Sequence, residues 1–102
     1  MPKPRVLDVL VTYDVSTEIR EGRRRLRKVA IACCAYGQRV QNSVFECRLT
    51  PAQLETFDAR LLALIDVTED RLRLYTLPAD FDRAVRIYGI RPEYDLKEPI
   101  IV

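Results

Sequence analysis

The chain has 102 residues and a formal charge of +2 at pH 7, from 17 Lys and Arg against 15 Asp and Glu. At that length and 48% hydrophobic residues it is one domain's worth of chain with enough apolar content for a core, unlike a disordered protein. It has no histidine, which excludes Ser-His-Asp and Cys-His nucleophiles, two-histidine zinc helices and imidazole acid–base pairs, and leaves a carboxylate, a lysine or a metal-bound water as the catalytic base and carboxylates, carbonyls or thiolates as metal ligands.

In chain order, MPKPRVLDVLV carries only a short apolar run and no signal-peptide layout. Val6 to Tyr13 is almost wholly apolar and β-branched, the pattern of a strand buried on both faces, and it closes on Asp14. Past Gly22, Leu26, Val29, Ala30 and Cys33 recur at helical spacing, with Gly37 placed as the cap. Arg39 to Leu49 reads as strand, with Phe45, Cys47 and Leu49 on one face and Val44, Glu46 and Arg48 on the other. The alternation fails at Gln41-Asn42, where a bulge or turn divides the segment into two strands.

Thr50-Pro51-Ala52-Gln53 is a helix start: a capping threonine, proline at the first helical position, and glutamine placed to complete a capping box. Leu54, Phe57, Leu61, Leu64 and Ile65 give that helix its apolar face. Arg71 to Leu77 alternates as a strand, and AVRIY within residues 83–90 is a further short strand candidate. The run Ile100-Ile101-Val102 ends a polar tail. The order predicts an α+β, ferredoxin-like split β-α-β sandwich with two helices on one face of a mainly antiparallel sheet. A single domain over 1–102 is expected, with an N-terminal extension at 1–6 and a tail at 92–102.

Cys33, Cys34 and Cys47 lack metal-ligand spacing and read as small buried hydrophobes of a reducing compartment. No stretch approaches the ~20 apolar residues of a membrane span, so a soluble, cytoplasmic protein without membrane partners is expected. The net charge is unevenly distributed: residues 1–48 hold ten basic and five acidic side chains, residues 49–102 seven and ten. Six of the nine residues from Arg20 to Lys28 are basic, and arginine's planar fork suits phosphate. That run is either a solvated helix face or a nucleic-acid contact.

Asp14, held at the end of a rigid strand, is the main catalytic candidate. A carboxylate there can hold Mg²⁺ or Mn²⁺, although it can equally make a turn, and one carboxylate per chain is a poor metal site unless a two-fold dimer doubles it. Asp8 is a weaker candidate. Tyr13 and Phe45 can stack on bases or pack in a core. Ser43 can donate to a phosphate or serve a turn, and Arg39, near Gly37, can face an anion.

VLVTYDVS at 9–16, RLRKVA at 25–30, YGQRVQNSVFEC at 36–47 and DLKEPIIV at 95–102 resemble the smaller of the two universal CRISPR adaptation proteins. The resemblance covers roughly residues 7 to 102, with the motifs in family order. It implies a ferredoxin-like homodimer whose terminal strand pairs with the partner protomer, and an adaptation integrase as partner. It implies that Asp14 is the metal-binding aspartate, one from each subunit facing across the two-fold, with Tyr13 beside it in the catalytic motif. By the same resemblance Arg25, Arg27 and Arg39 match basic positions that help bind or cleave nucleic acid and Phe45 matches the aromatic of SVF; with Ser43 these are the expected nucleic-acid-binding residues. Members of that family are described as Mg²⁺-dependent endonucleases on single-stranded RNA or double-stranded DNA, acting in spacer acquisition, and as non-catalytic bridges between integrase dimers on the incoming DNA. Two departures stand out: about six extra N-terminal residues, and Asp8 where an apolar residue is usual.

Overall fold

The computed structural model describes residues 5–79 and 84–89. Six elements follow one another: β1 (Leu7–Asp14), α1 (Arg20–Tyr36), β2 (Gly37–Gln41), β3 (Val44–Leu49), α2 (Pro51–Leu64) and β4 (Arg71–Thr76). The strands form one sheet in the order β2-β3-β1-β4, and every neighbouring pair is antiparallel. Each helix links two strands that flank a third, the split β-α-β arrangement expected from the sequence.

The core lies between the helices and one sheet face. Val9, Val11 and Tyr13 of β1 and Phe45, Cys47 and Leu49 of β3 meet Val29, Ala32 and Cys33 of α1 and Phe57 and Leu61 of α2. Phe45 and Phe57 are among its largest fully buried side chains, and each contributes about 2–3 kcal/mol through apolar burial. Tyr36 stacks on Phe57 at 4.5 Å between ring centroids, joining the two helices.

Local chemistry explains the element boundaries. The Thr50 side chain accepts from the Gln53 backbone N–H at 3.2 Å, and the Thr50 N–H donates to Gln53 Oε1 at 2.9 Å. This is the expected capping box, with Pro51 in the first turn. The hairpin between β2 and β3 turns at Asn42-Ser43, and a register shift between Arg39 and Gln41 marks the bulge.

Three expectations need correction and one needs refinement. Strand β1 is buried on one face only: Val9, Val11 and Tyr13 are covered, whereas Asp8, Leu10 and Thr12 are half-buried, because both helices lie on the same side. Helix α1 starts at Arg20, ahead of Gly22. Gly22 is buried in the first turn, where a Cβ would collide with the Ser16 carbonyl. Gly37 caps α1 as expected, its N–H donating to the Cys33 carbonyl, but without the left-handed conformation of a glycine cap: its backbone is extended, with φ −158°, and it opens β2 directly. A Cβ at Gly37 would run into Cys47 Sγ and the Glu46 carbonyl, so glycine is needed there for close strand approach. Finally, residues 85–88 of the AVRIY segment form no strand, and they bury little apolar surface: Ile87 and Tyr88 are 70% and 81% exposed. The tail at 92–102 lies outside the described residues.

Gly37→Ala is therefore expected to destabilise the protein by about 1–3 kcal/mol through overpacking, read as a lower urea midpoint. An unchanged midpoint would show that β2 and β3 have room at this point.

Candidate functional site

Asp14 ends β1, the sheet's inner strand next to β3 and β4. Along β1, alternate residues face opposite ways. Tyr13 therefore points into the core, while Asp14 is exposed on the uncovered side. Among the described residues the Asp14 carboxylate makes no hydrogen bond or ion pair. Its Cα partner across the ladder is Arg71 of β4, and Thr12 pairs likewise with Arg73. Thr12, Tyr13, Asp14, Arg71, Arg73 and Tyr75 line a shallow pocket of about 270 Å³.

Behind the sheet, Tyr13, Arg39 and Phe45 form a compact cluster. Phe45 is 0% exposed and Arg39 8%. The Arg39 guanidinium lies 5.3 Å from the Phe45 ring centroid, a cation–π contact, and the Tyr13 and Phe45 rings stack at 6.2 Å. The Tyr13 hydroxyl donates to the Asn42 carbonyl at 3.2 Å, and the Ser43 carbonyl accepts from the Tyr13 N–H at 3.1 Å. Burial is the main cause that pushes the Tyr13 phenol up to about 12, outweighing the lowering influence of Arg39. Of the two readings of Tyr13 and Phe45, the rings' position is that of core packing. Ser43 is half-buried in the hairpin turn.

The arginines of α1 divide. Arg20, Arg24, Arg27 and Lys28 are exposed and make no side-chain hydrogen bond or ion pair among the described residues. Arg25 instead turns toward the chain beyond Asp14. Its Nε donates to Asp70 Oδ2 at 2.8 Å and its Nη2 to Asp70 Oδ1 at 3.3 Å. The Asp70 side chain is fully buried, and it also accepts from the Ser16 N–H at 3.1 Å and the Asp66 N–H at 2.8 Å. Burial raises the Asp70 carboxyl, but the hydrogen bonds from Arg25, Asp66 and Ser16 prevail and leave it below the ordinary value. Asp70 thus ties α1, the segment after Asp14 and the loop before β4 to a single carboxylate.

Asp8 pairs with Arg48 at 3.0 Å on the uncovered sheet face, so it balances a cross-strand charge at the end of β1 away from Asp14. The three cysteines are free, and burial first of all raises their thiols: Cys33 to about 12, Cys47 to about 11, and Cys34 upward. They remain protonated and are poor nucleophiles.

The model of the family described as CRISPR associated protein Cas2 matches residues 8–85. The chain belongs to the Cas2 family. It is similar to the CRISPR-associated endoribonuclease Cas2 3 of Rhodospirillum rubrum, 53% identical over 94 residues that span 92% of this chain and 99% of that protein. It is also similar to the CRISPR-associated endonuclease Cas2 of Halalkalibacterium halodurans, 50% identical over 91% of this chain and 97% of the relative. Among solved structures, Streptococcus pyogenes Cas2 at pH 6.5 superposes with a TM-score of 0.73 at 52% identity, covering 80% of this chain and 99% of that one. Both the family and the ferredoxin-like fold expected from the motifs are thereby established, and no described helix is long and apolar enough to cross a membrane.

Three residues of this Cas2 site lay outside the sequence-derived candidates. RLRLY placed Arg71 and Arg73 on one strand face, but their position beside Asp14 depends on the β1–β4 register. Asp70 carried no signal, since its partner Arg25 lies 45 residues away.

Arg25→Ala is expected to lower stability by stranding the Asp70 carboxylate, with a smaller loss when Asp70→Ala is added, checked in a double-mutant denaturation cycle. Because the folded carboxyl of Asp70 lies below its unfolded value, its contribution is complete above the unfolded pKa of about 3.9 and fades as pH falls through the folded value. Wild type should therefore lose more stability than Asp70→Asn below about pH 4.

Proposed function

We propose that this Cas2 family member is a Mg²⁺-dependent endonuclease that hydrolyses phosphodiester bonds in single-stranded RNA or duplex DNA during CRISPR adaptation. It acts as a homodimer alongside the adaptation integrase. The observation that carries this reading is the Asp14 carboxylate, exposed at the end of an inner strand with no partner among the described residues, in a chain whose close relatives are named endonuclease or endoribonuclease.

Within one chain the described residues contain no cluster of three or more potential metal-ligating side chains, so they build no metal cage by themselves. Mg²⁺ characteristically keeps several waters and takes only one or two carboxylates plus substrate phosphate. Two Asp14 side chains, one from each subunit across the two-fold, suit that demand, and Mn²⁺ can substitute. When bound, the ion supplies positive charge that polarises the phosphate and eases deprotonation of water.

The chain's own residues provide anchoring and geometry. Asp14 offers a carboxylate oxygen at a fixed point, because β1 is hydrogen-bonded on both sides and Asp70 fastens the segment after it. Tyr13, with its phenol at about 12, stays protonated at neutral pH, so its part is to hold the hairpin turn against β1 rather than to take a proton. Arg39 and Phe45 support Tyr13 from the core. Arg27 reaches the nucleic-acid backbone from the outer face of α1, and Arg25 acts through Asp70.

A second reading is favoured by that outer face, where Arg20, Arg24, Arg27 and Lys28 present cations without partners among the described residues. It makes the protein a DNA-bridging subunit held to duplex phosphates.

With Mg²⁺ present, purified Asp14→Ala dimer is expected to cleave RNA and duplex DNA at least about 100-fold more slowly than wild type; cleavage at the wild-type rate overturns the catalytic reading. Spacer acquisition in cells separates the two. If it persists in Asp14→Ala but collapses when Arg24 and Arg27 become alanine, bridging is the working role; if it collapses in Asp14→Ala alone, catalysis is.

A further inference from the structure

We propose that Arg71 and Arg73 of β4 form a phosphate-binding subsite beside Asp14, gripping two neighbouring phosphodiester groups of one nucleic-acid strand. That the ligand is a phosphodiester strand rests on the endonuclease reading above, while the subsite itself follows from the β1–β4 register.

Asp14 and Arg71 are Cα partners, yet their side chains form no ion pair. Arg71 makes no side-chain hydrogen bond or ion pair at all among the described residues. An arginine and an aspartate facing each other on a strand pair usually close on one another. Here both remain open, on the wall of the same pocket. Arg73 is held in place, because its Nη1 donates to the Tyr75 hydroxyl at 3.1 Å. A guanidinium carries five N–H donors, so most of the Arg73 fork still faces the pocket. Tyr75, 42% exposed, adds a ring to the same wall.

Spacing points to a strand of phosphates rather than a single anion. Residues two apart on a β-strand lie on the same face about 6.7 Å from each other, comparable to the step between successive phosphates along one strand. Charge agrees. At the far end of this face Asp8 and Arg48 neutralise each other at 3.0 Å, whereas at the Asp14 end two arginines accompany one carboxylate. Arginine forks bind phosphate in bidentate fashion. A backbone lying across Arg71 and Arg73 would therefore bring a phosphate directly over Asp14, and it would do so without reading bases.

The test is fluorescence anisotropy of labelled single-stranded RNA and of labelled duplex DNA, in EDTA so that neither is cut, across a salt series. Each arginine changed to alanine should flatten the log–log salt slope by about 0.7 on a single strand or about 0.9 on a duplex, with weakening that does not depend on sequence. The substrate that shows the flattening identifies which strand type the subsite holds. Arg73→Lys should keep the slope, and Tyr75→Phe should weaken binding less than Arg73→Ala. A folded, dimeric Arg71→Ala/Arg73→Ala protein whose slope matches wild type on both substrates overturns the subsite. Asp14→Asn serves as the separate control: it should retain the wild-type slope while losing cleavage in Mg²⁺. Cleavage by Asp14→Asn at the wild-type rate would sink the metal-carboxylate reading and leave the subsite to be judged by its slopes.

Discussion

The buried carboxylate of Asp70 is the constraint on which the site depends. It accepts from α1 through Arg25, from the segment after Asp14 through Ser16, and from its own loop through Asp66. A buried charge is tolerated only when its lone pairs are filled, and each partner comes from a different part of the chain. The same arrangement fixes the path of the chain after β1, where the Ser16 carbonyl crowds the helix at Gly22. Strand end, helix start and the entry to β4 are therefore held as a unit, and Asp14 and Arg71 sit at its rim.

Much of this architecture was legible from residue pattern alone. Thr50-Pro51-Ala52-Gln53 contains both halves of a capping box within four residues, and the break in alternation at Gln41-Asn42 marked the hairpin, because both are local devices. What stayed hidden was whatever depends on chain closure. Gly37 read correctly as the cap of α1, but the reason glycine is needed there, the proximity of Cys47, is not visible in sequence. Phe45 and Arg39 read as possible nucleic-acid contacts; only the packing of α1 and α2 over one sheet face shows that both are buried. The motif YDVS announced Asp14, but no periodicity could announce that Arg71 would lie opposite it.

The sheet separates two kinds of work. Its covered face is apolar, with Arg39 folded over Phe45 as the one buried cation among the described residues. Its other face is mixed and carries Asp8, Arg48, Asp14, Arg71 and Arg73 beside Leu10 and Val44. Alternation along β1 places Tyr13 in the first and Asp14 in the second, so adjacent residues of one motif support the fold and the chemistry respectively. The uneven charge of the sequence has a matching spatial form: most of the N-terminal excess lies on the outer side of α1.

The locked thiols and phenol have one more consequence, which concerns proton inventory. Imidazole and thiol are the groups that usually change charge nearest neutrality. This chain has no histidine, and burial pushes Cys33, Cys47 and Tyr13 up to about 12, 11 and 12. None of these three side chains therefore changes charge around neutral pH. Any dependence of its action on pH near neutrality has to come from groups other than imidazole, these two buried thiols and this phenol.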